Sequence, residues 1–263
     1  MHQSTASDSS EVTRRGFLKV LAGAGAGVAV GGAAATVGNV PSPAAHAESP
    51  AARQWVMVVD LRKCDGCEKC VKACQQTHAL GKDQKWLNVY RISTTTGQTR
   101  FMPRLCMHCE NPPCTRVCPV GATYKNDEGV VLVNQNTCIG CRTCMAACPY
   151  EARYFNWEEP PPAPSLLDHP MPEFPVPQQR GTVGKCILCV HYTEFGKLPA
   201  CVQACSMEAL YIGDLEADVA TNGRETVKLS KLLRENDAIR FREELGTRPR
   251  VYYILGHGQK LDF

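Results

Sequence analysis

Sixteen cysteines dominate this sequence, and they fall into four groups of four with none left over. The first and third groups share the spacing C-x2-C-x2-C-x3-C, in the strings CDGCEKCVKAC and CIGCRTCMAAC. The second and fourth groups keep the opening C-x2-C and the closing C-x3-C, but their middle gaps are longer. Four near-copies of one spacing constrain the fold more than the composition does, because each copy must keep four thiols close together.

The groups are numbered in chain order. Group one is Cys64, Cys67, Cys70 and Cys74; group two is Cys106, Cys109, Cys114 and Cys118; group three is Cys138, Cys141, Cys144 and Cys148; group four is Cys186, Cys189, Cys201 and Cys205. This spacing is typical of proteins with [4Fe–4S] clusters, where three thiolates wrap one cluster and the fourth reaches a neighbouring cluster. We expect that fourth cysteine on the first turn of a helix. Pro119 and Pro149 supply the Cys-Pro ending of such runs in groups two and three.

Disulfides and zinc are weaker interpretations of these cysteines. A disulfide framework does not need four near-copies of one spacing, and neighbours at C-x2-C rarely pair outside redox motifs. Structural zinc sites use C-x2-C pairs and stop at four ligands, which leaves the third cysteine and the Cys-Pro ending unexplained.

The segment between groups two and three predicts how the groups pair. Its strings ATYK and GVVLVN flank the turn residues NDEG, which indicates a β-hairpin. Groups two and three would then form one ferredoxin-like module, and groups one and four pair by elimination in a second, split module. The strings WVMVVDL at 55–61 and ALYIGD at 209–214 predict the strands that flank this split module.

Crossed ligation, by analogy with two-cluster ferredoxins, then gives four complete ligand sets. The expected sets are Cys64, Cys67, Cys70 and Cys205; Cys186, Cys189, Cys201 and Cys74; Cys106, Cys109, Cys114 and Cys148; and Cys138, Cys141, Cys144 and Cys118. We therefore expect four [4Fe–4S] clusters and no three-iron cluster.

Six basic residues lie near the cysteine groups in sequence: Arg62, Lys63, Arg104, Arg116, Arg142 and Lys185. They are candidate counter-charges that tune the reduction potentials of the clusters. The alternative is that they are ordinary surface charges.

The N-terminal segment indicates export. Residues 13–19, TRRGFLK, match the twin-arginine signal pattern, and residues 20–47 contain no Asp, Glu, Lys or Arg. The string AHA at 45–47 predicts a cleavage site. An uncleaved membrane anchor is the alternative, since the uncharged stretch is long enough to span a bilayer.

The remaining segments predict connection and packing. Eight prolines within residues 158–181 predict an extended connector. Leucines and Phe241 within residues 226–245 have roughly helical spacing, with Gly246 as a C-cap, and 250–255 predicts a short strand. For the histidines near the cysteine groups we expect hydrogen-bonding or surface roles: His78, His108 and His191.

These observations predict an α+β fold of two ferredoxin-like modules, each holding two [4Fe–4S] clusters and one inserted into the other, followed by a C-terminal helix and short strand. The expected divisions are a signal segment at 1–47, the first half of the split module at 48–100, the inserted module at 101–157, the connector at 158–181, the second half at 182–215 and a C-terminal part at 216–263. The sequence shows no nucleophile–base pair or phosphate loop, so we expect electron transfer without a catalytic site. A formal charge of +3 with no basic run gives no indication of nucleic-acid binding.

The strings PRLCMHCENPPCTRVCPVGATY, CIGCRTCMAACPYEARYF and KCILCVHYTEFGKLPACVQAC resemble the four-cluster iron–sulfur subunits of the complex iron–sulfur molybdoenzymes. That family includes subunits of tetrathionate, polysulfide and dimethyl sulfoxide reductases, formate dehydrogenase and nitrite-reduction systems. The resemblance covers roughly residues 54–215. It implies electron passage between a molybdopterin-type or other catalytic subunit and a multi-span, quinone-reactive membrane subunit. The twin-arginine pattern at residues 13–19 predicts that this takes place on the periplasmic face of the cytoplasmic membrane.

Two alternatives to that function stay open from the sequence. One is a soluble exported polyferredoxin that serves diffusing partners. The other is a subunit of a sulfite-reduction-linked or alternative quinol-oxidising transmembrane complex, since similar subunits occur there and the proline-rich insert is long.

Overall fold

The computed structural model describes residues 53–161 and 178–260. The predicted signal segment at 1–47 and most of the proline-rich connector lie outside these ranges. Within them the chain is a mixed α/β fold of short elements. None of the helices in the described part of the chain is long and apolar enough to cross a lipid bilayer.

Twelve short strands are present in the described ranges. In chain order they are β1 (Trp55–Asp60), β2 (Asn88–Ser93), β3 (Thr99–Arg104), β4 (Thr123–Lys125), β5 (Val131–Val133), β6 (Tyr154–Phe155), β7 (Val183–Gly184), β8 (Leu210–Asp214), β9 (Val219–Thr221), β10 (Thr226–Lys228), β11 (Ile239–Arg240) and β12 (Val251–Ile254). Six of them form one sheet in the order β10-β9-β8-β1-β12-β11, and the others pair as β2-β3, β4-β5 and β6-β7.

The central position in the large sheet belongs to β1. It pairs antiparallel with β8, where Met57 lies opposite Ile212, and parallel with β12, where Val58 lies opposite Tyr252. A strand with neighbours on both edges and cover on both faces is expected to be a continuous apolar run, as Val56 to Val59 is. The strands predicted at 55–61, 209–214 and 250–255 are confirmed.

The predicted hairpin between groups two and three is also confirmed. β4 pairs antiparallel with β5, with Thr123 opposite Val133 and Lys125 opposite Val131. The turn uses Gly129 at φ +78°, and the N–H of Asn126 donates across the turn to the carbonyl of Val130.

Six short α-helices occur in the described ranges. They are α1 (Lys69–Thr77), α2 (Pro113–Arg116), α3 (Thr143–Ala146), α4 (Val190–Thr193), α5 (Ala200–Gln203) and α6 (Leu229–Glu235). The third cysteine of every group is the second residue of a helix, in α1, α2, α3 and α5. Our expectation that the fourth cysteine lies on the first turn of a helix is therefore wrong, because the C-x3-C spacing places it one turn later. Cys74 lies inside α1, whereas Cys118, Cys148 and Cys205 lie just beyond their helices.

Alternate residues of β1 face two different apolar clusters, as the pleat of a strand requires. Met57 and Val59 belong to the larger cluster, which also contains many of the cysteines. Val56 and Val58 belong to a smaller cluster with Leu229 of α6. The large sheet therefore separates the cysteine-bearing side of the molecule from the side that α6 covers.

The continuous helix expected within 226–245 is wrong. The helical part is α6 alone, flanked by β10 and β11 and followed by a 3₁₀ turn at Glu243–Leu245. Leu229 packs on one face of the sheet and Phe241 packs in the other cluster, so two separate elements produced the helix-like spacing. Gly246, at φ +67°, does terminate the 3₁₀ turn as a C-cap.

Candidate iron–sulfur sites

All sixteen cysteines are free thiols. Three cavities each combine three cysteines of one group with the fourth cysteine of another. The first is lined by Cys64, Cys67, Cys70 and Cys205; the second by Cys106, Cys109, Cys114 and Cys148; the third by Cys138, Cys141, Cys144 and Cys118. In the first cavity, the structure brings together cysteines that are far apart in sequence. In the second and third cavities, the cysteines come from groups that only one short hairpin separates.

The remaining four cysteines also lie near one another. Electrostatic interactions link Cys201 with Cys189, Cys186 and Cys74. The ring of His78 lies 3.6 Å from the Sγ of Cys74 and 3.7 Å from the Sγ of Cys189. Burial raises the pKa of Cys74 and Cys201 well above the ordinary thiol value, so this set is the most enclosed.

The donor set of these sites fits an iron–sulfur cube with four thiolate ligands. Four thiols line each of the three cavities. The thiols surround these spaces, and within residues 53–161 and 178–260 no three Cys, His, Asp or Glu side chains are arranged to hold a single metal ion. Burial raises the pKa of Cys70 and Cys109 to about 12, so these thiols need bound iron to become thiolates at neutral pH.

The residue before the second cysteine has the same left-handed backbone in all four groups. It is Gly66 at φ +78°, His108 at +41°, Gly140 at +68° and Leu188 at +54°. The chain therefore follows the same path around each set, although only groups one and three have glycine there. Side chains differ at this position because the loop conformation, rather than the residue type, is repeated.

A second repeated turn follows the last cysteine of groups two, three and four. The residue three positions later has positive φ, as in Gly121, Glu151 and Glu208, and its N–H donates to the carbonyl of that cysteine. This turn directs backbone N–H groups toward sulfur: Thr123 N–H donates to the Sγ of Cys118 at 3.5 Å, and Ala209 N–H to the Sγ of Cys205 at 3.3 Å. Group one lacks the turn because α1 continues to Thr77.

Electrostatic interactions connect the four sets in one order. Cys70 of the first set interacts with Cys201, Cys186 interacts with Cys106, and Cys114 interacts with Cys144. The two end sets contain the exposed thiols Cys67 and Cys141. The two middle sets are more enclosed, so the order begins and ends at a set with an exposed thiol.

The three histidines near the groups are buried, which makes the surface alternative wrong. His78 donates from Nδ1 to the carbonyl of Cys74 at 2.9 Å. His108 accepts the N–H of Val131 at Nδ1, which places its proton on Nε2. His191 stacks edge-on against His78, and neither of its ring nitrogens has a hydrogen-bond partner within the described residues. Burial lowers the pKa of His78 to about 3 and that of His191 to about 4, so both are neutral at neutral pH.

Several of the predicted counter-charges have partners of their own. Arg62 pairs with Asp60, Lys63 with Glu225 and Arg104 with Glu151. Arg116 is exposed on α2, and Arg142 is exposed with its guanidinium over the rings of Phe155 and Trp157. Lys185 is 1% exposed and donates from Nζ to the carbonyl of Cys186 at 2.6 Å.

Sequence reasoning missed Arg153. It is 5% exposed and lines the cavity of Cys106, Cys109, Cys114 and Cys148. Its place five residues after Cys148, just before β6, is the signal that the sequence offers for it.

Comparison with known families agrees with this geometry. A family described as "4Fe-4S dicluster domain" matches residues 97–161 and 170–215, and a second family of the same description matches residues 63–122. The fold and the cysteine sites therefore define an iron–sulfur protein of the dicluster ferredoxin class.

Comparison with individual proteins assigns the chain to a narrower family within this class. The chain is 40% identical over 216 residues to one of the subunits of selenate reductase from Mesobacillus selenatarsenatis, covering 76% of this chain and 72% of the relative. It is 38% identical over 216 residues to a protein of Halobacterium salinarum named as an iron–sulfur subunit of dimethyl sulfoxide reductase, covering 76% and 78%. It is 35% identical over 208 residues to one of the subunits of tetrathionate reductase from Salmonella typhimurium, covering 76% and 72%.

The chain belongs to the family of iron–sulfur subunits of the complex iron–sulfur molybdoenzymes. Members of this family are electron-transfer subunits of respiratory reductases and carry no catalytic site of their own. The function and the non-catalytic role expected from the sequence are confirmed at this level.

Proposed function

We propose that the chain carries four [4Fe–4S] clusters in the four crossed cysteine sets. The main support is that three cavities each join three cysteines of one group to the fourth cysteine of another. The proposed ligands are Cys64, Cys67, Cys70 and Cys205; Cys74, Cys186, Cys189 and Cys201; Cys106, Cys109, Cys114 and Cys148; and Cys118, Cys138, Cys141 and Cys144. Each cluster supplies a site that accepts and releases one electron.

The protein's own contribution is to hold these sites in line. The repeated left-handed loops fix each set, and the backbone N–H groups aimed at Cys118 and Cys205 stabilise negative charge on sulfur. Apolar residues around the middle sets exclude water. Electrons enter at one open end, near Cys67 or Cys141, and leave at the other.

The two modules are proposed to be nested. Pairing of β1 with β8 joins the segments 48–100 and 182–215, which enclose the segment 101–157 in sequence. The hairpin β4–β5 completes the inner module by itself. The remaining divisions, at 158–181 and 216–263, serve as the connector and as cover for the large sheet.

A direct test uses serine variants of the holoprotein. Cys148→Ser is expected to damage the same cluster as Cys106→Ser, because both line one cavity, and not the cluster damaged by Cys141→Ser. EPR spectra of the reduced proteins, with iron and acid-labile sulfide content, would compare the three variants. A Cys148→Ser spectrum that matches Cys141→Ser would refute the crossed ligation.

The partners are proposed to be a molybdopterin-type or other catalytic subunit at one end and a multi-span, quinone-reactive membrane subunit at the other. The support is that relatives are named as subunits of selenate, tetrathionate and arsenate respiratory reductases. Purification in mild detergent should recover both partners with this chain. Elution of the chain alone, fully loaded with iron, would favour a soluble polyferredoxin instead.

The chain is proposed to act on the periplasmic face of the cytoplasmic membrane after twin-arginine export and cleavage near Ala47. This pathway transfers folded protein, which suits a chain whose thiols are already bound to iron. Replacing Arg14 and Arg15 together by lysine should leave the holoprotein in the cytoplasm, whereas Lys19→Arg should not. Periplasmic holoprotein in the double variant would contradict this location route.

A further inference from the structure

Arg153 is a buried cation without a carboxylate partner among the described residues. Three buried residues in these ranges carry a Lys or Arg charge: Arg153, Lys185 and Arg250. Arg250 pairs with Glu110, and the Lys185 ammonium donates to a backbone carbonyl. Burying a guanidinium is costly unless negative charge lies close by, so the position of Arg153 needs an anion.

The geometry places Arg153 between two cysteine sets. Its side chain lines the cavity of Cys106, Cys109, Cys114 and Cys148. Its Nη1 donates to the Oγ1 of Thr123 at 3.2 Å, and Thr123 lines the neighbouring cavity of Cys118, Cys138, Cys141 and Cys144. The guanidinium therefore lies at the boundary that separates the two sites of the inner module.

The electrostatics agree with this position. Burial acts to lower the pKa of Arg153, but the thiolates of Cys114, Cys144 and Cys106 raise it, and the balance is upward. Cys106 and Cys114 belong to one of the two sets and Cys144 belongs to the other. The Nη2 group has no oxygen or nitrogen partner within the described residues, so its positive charge is left facing the sulfur sites.

We propose that Arg153 is a shared counter-charge for the two clusters of the inner module and raises the reduction potential of both. The inference rests on the proposed four-cluster assignment. Adding one electron to either site adds one negative charge, and a fixed cation nearby stabilises that reduced state. A cation between the sites also weakens the repulsion between two electrons held there at once.

The test is a redox titration of the holoprotein followed by EPR. Arg153→Met should lower the midpoint potentials of the two inner-module clusters and leave those of the split module unchanged. Arg116→Met is the matched control, because it removes the same charge from an exposed position on the neighbouring helix, where water screens it. Its shift should be much smaller. Iron content and thermal unfolding of each variant would be measured alongside.

Arg153→Lys keeps the charge but shortens its reach. A lysine ammonium cannot lie against both cysteine sets at once, so we expect the reduction potential of one inner-module cluster to fall more than that of the other. This variant also serves if Arg153→Met does not assemble. If the holoprotein has four clusters and these variants leave the inner-module potentials unchanged, the role of Arg153 is overturned and the four-cluster assignment stands. If the unmodified holoprotein has fewer than four clusters, the four-cluster assignment itself is overturned.

Discussion

The residue before the second cysteine of each group sets the path of the backbone around that cysteine set. Its φ is positive in all four groups, which costs a residue with a Cβ about 1–2 kcal/mol in the left-handed region. Gly66 and Gly140 avoid that cost, whereas His108 and Leu188 bear it and place side chains in the core instead. The cysteine pattern alone could predict which cysteines lie together. It could not show that two non-glycine residues adopt the same backbone.

Gly140 should tolerate no side chain. A Cβ there would overlap the carbonyl oxygen of Gly181, in addition to the left-handed strain at φ +68°. Gly97 has a similar φ of +76° but open space around it. We expect Gly97→Ala to lose about 1–2 kcal/mol, and Gly140→Ala to lose more and to bind less iron at the neighbouring cysteines. Equal losses in thermal unfolding and iron content would show that the close approach is unimportant.

At the scale of elements, β12 links distant parts of the chain. It lies between β1 and β11, and the hydroxyl of Tyr253 donates to the carbonyl of Pro103 at 3.2 Å. The sequence predicts this strand from its apolar run, but not its neighbours, because pairing between residues almost two hundred positions apart leaves no local signal. The misassigned helix within 226–245 has the same origin, since Leu229 and Phe241 serve opposite faces of the sheet.

Ile254 is 0% exposed in β12 and should be sensitive to truncation. Ile254→Ala removes buried methyl groups and leaves a cavity, so we expect a loss of about 2–5 kcal/mol in the free energy of unfolding. Leu245→Ala is the control, because that side chain is 46% exposed and should change stability by less than about 0.5 kcal/mol. Chemical denaturation of both holoproteins measures the difference. Similar losses would mean that β12 does not contribute to the core as described.

Across the residues that the structure describes, one sheet has six strands and the other three sheets have two strands each. The cysteine sets lie among short helices and two-stranded sheets, and burial raises the pKa of many of their thiols. Isolated two-stranded pairs are marginally stable in water. Bound iron should therefore stabilise the inner module more than the large sheet. Cysteine spacing could predict this dependence on iron, but the six-strand order required the structure.

Removal of iron should expose this difference. Hydrogen exchange of the holoprotein before and after chelation is expected to show the greatest loss of protection in β4 and β5. Thr123 of β4 and Val131 of β5 line the two inner-module cavities. Amides in β1 and β12 should keep more of their protection, because each strand has neighbours on both edges. Uniform loss in all strands would instead indicate one cooperative unit.

The place of β1 in the sheet also has a consequence for synthesis, because residues leave the ribosome in sequence order. Cys64 emerges before groups two and three, but Cys205, which lines the same cavity, emerges after them. One neighbour of β1 begins only at Val251. The inner sites can therefore close on the nascent chain, whereas the set of Cys64, Cys67 and Cys70 waits for Cys205, and the large sheet is complete only after β12. We therefore expect iron to reach the inner sites first and the set of Cys64, Cys67, Cys70 and Cys205 later.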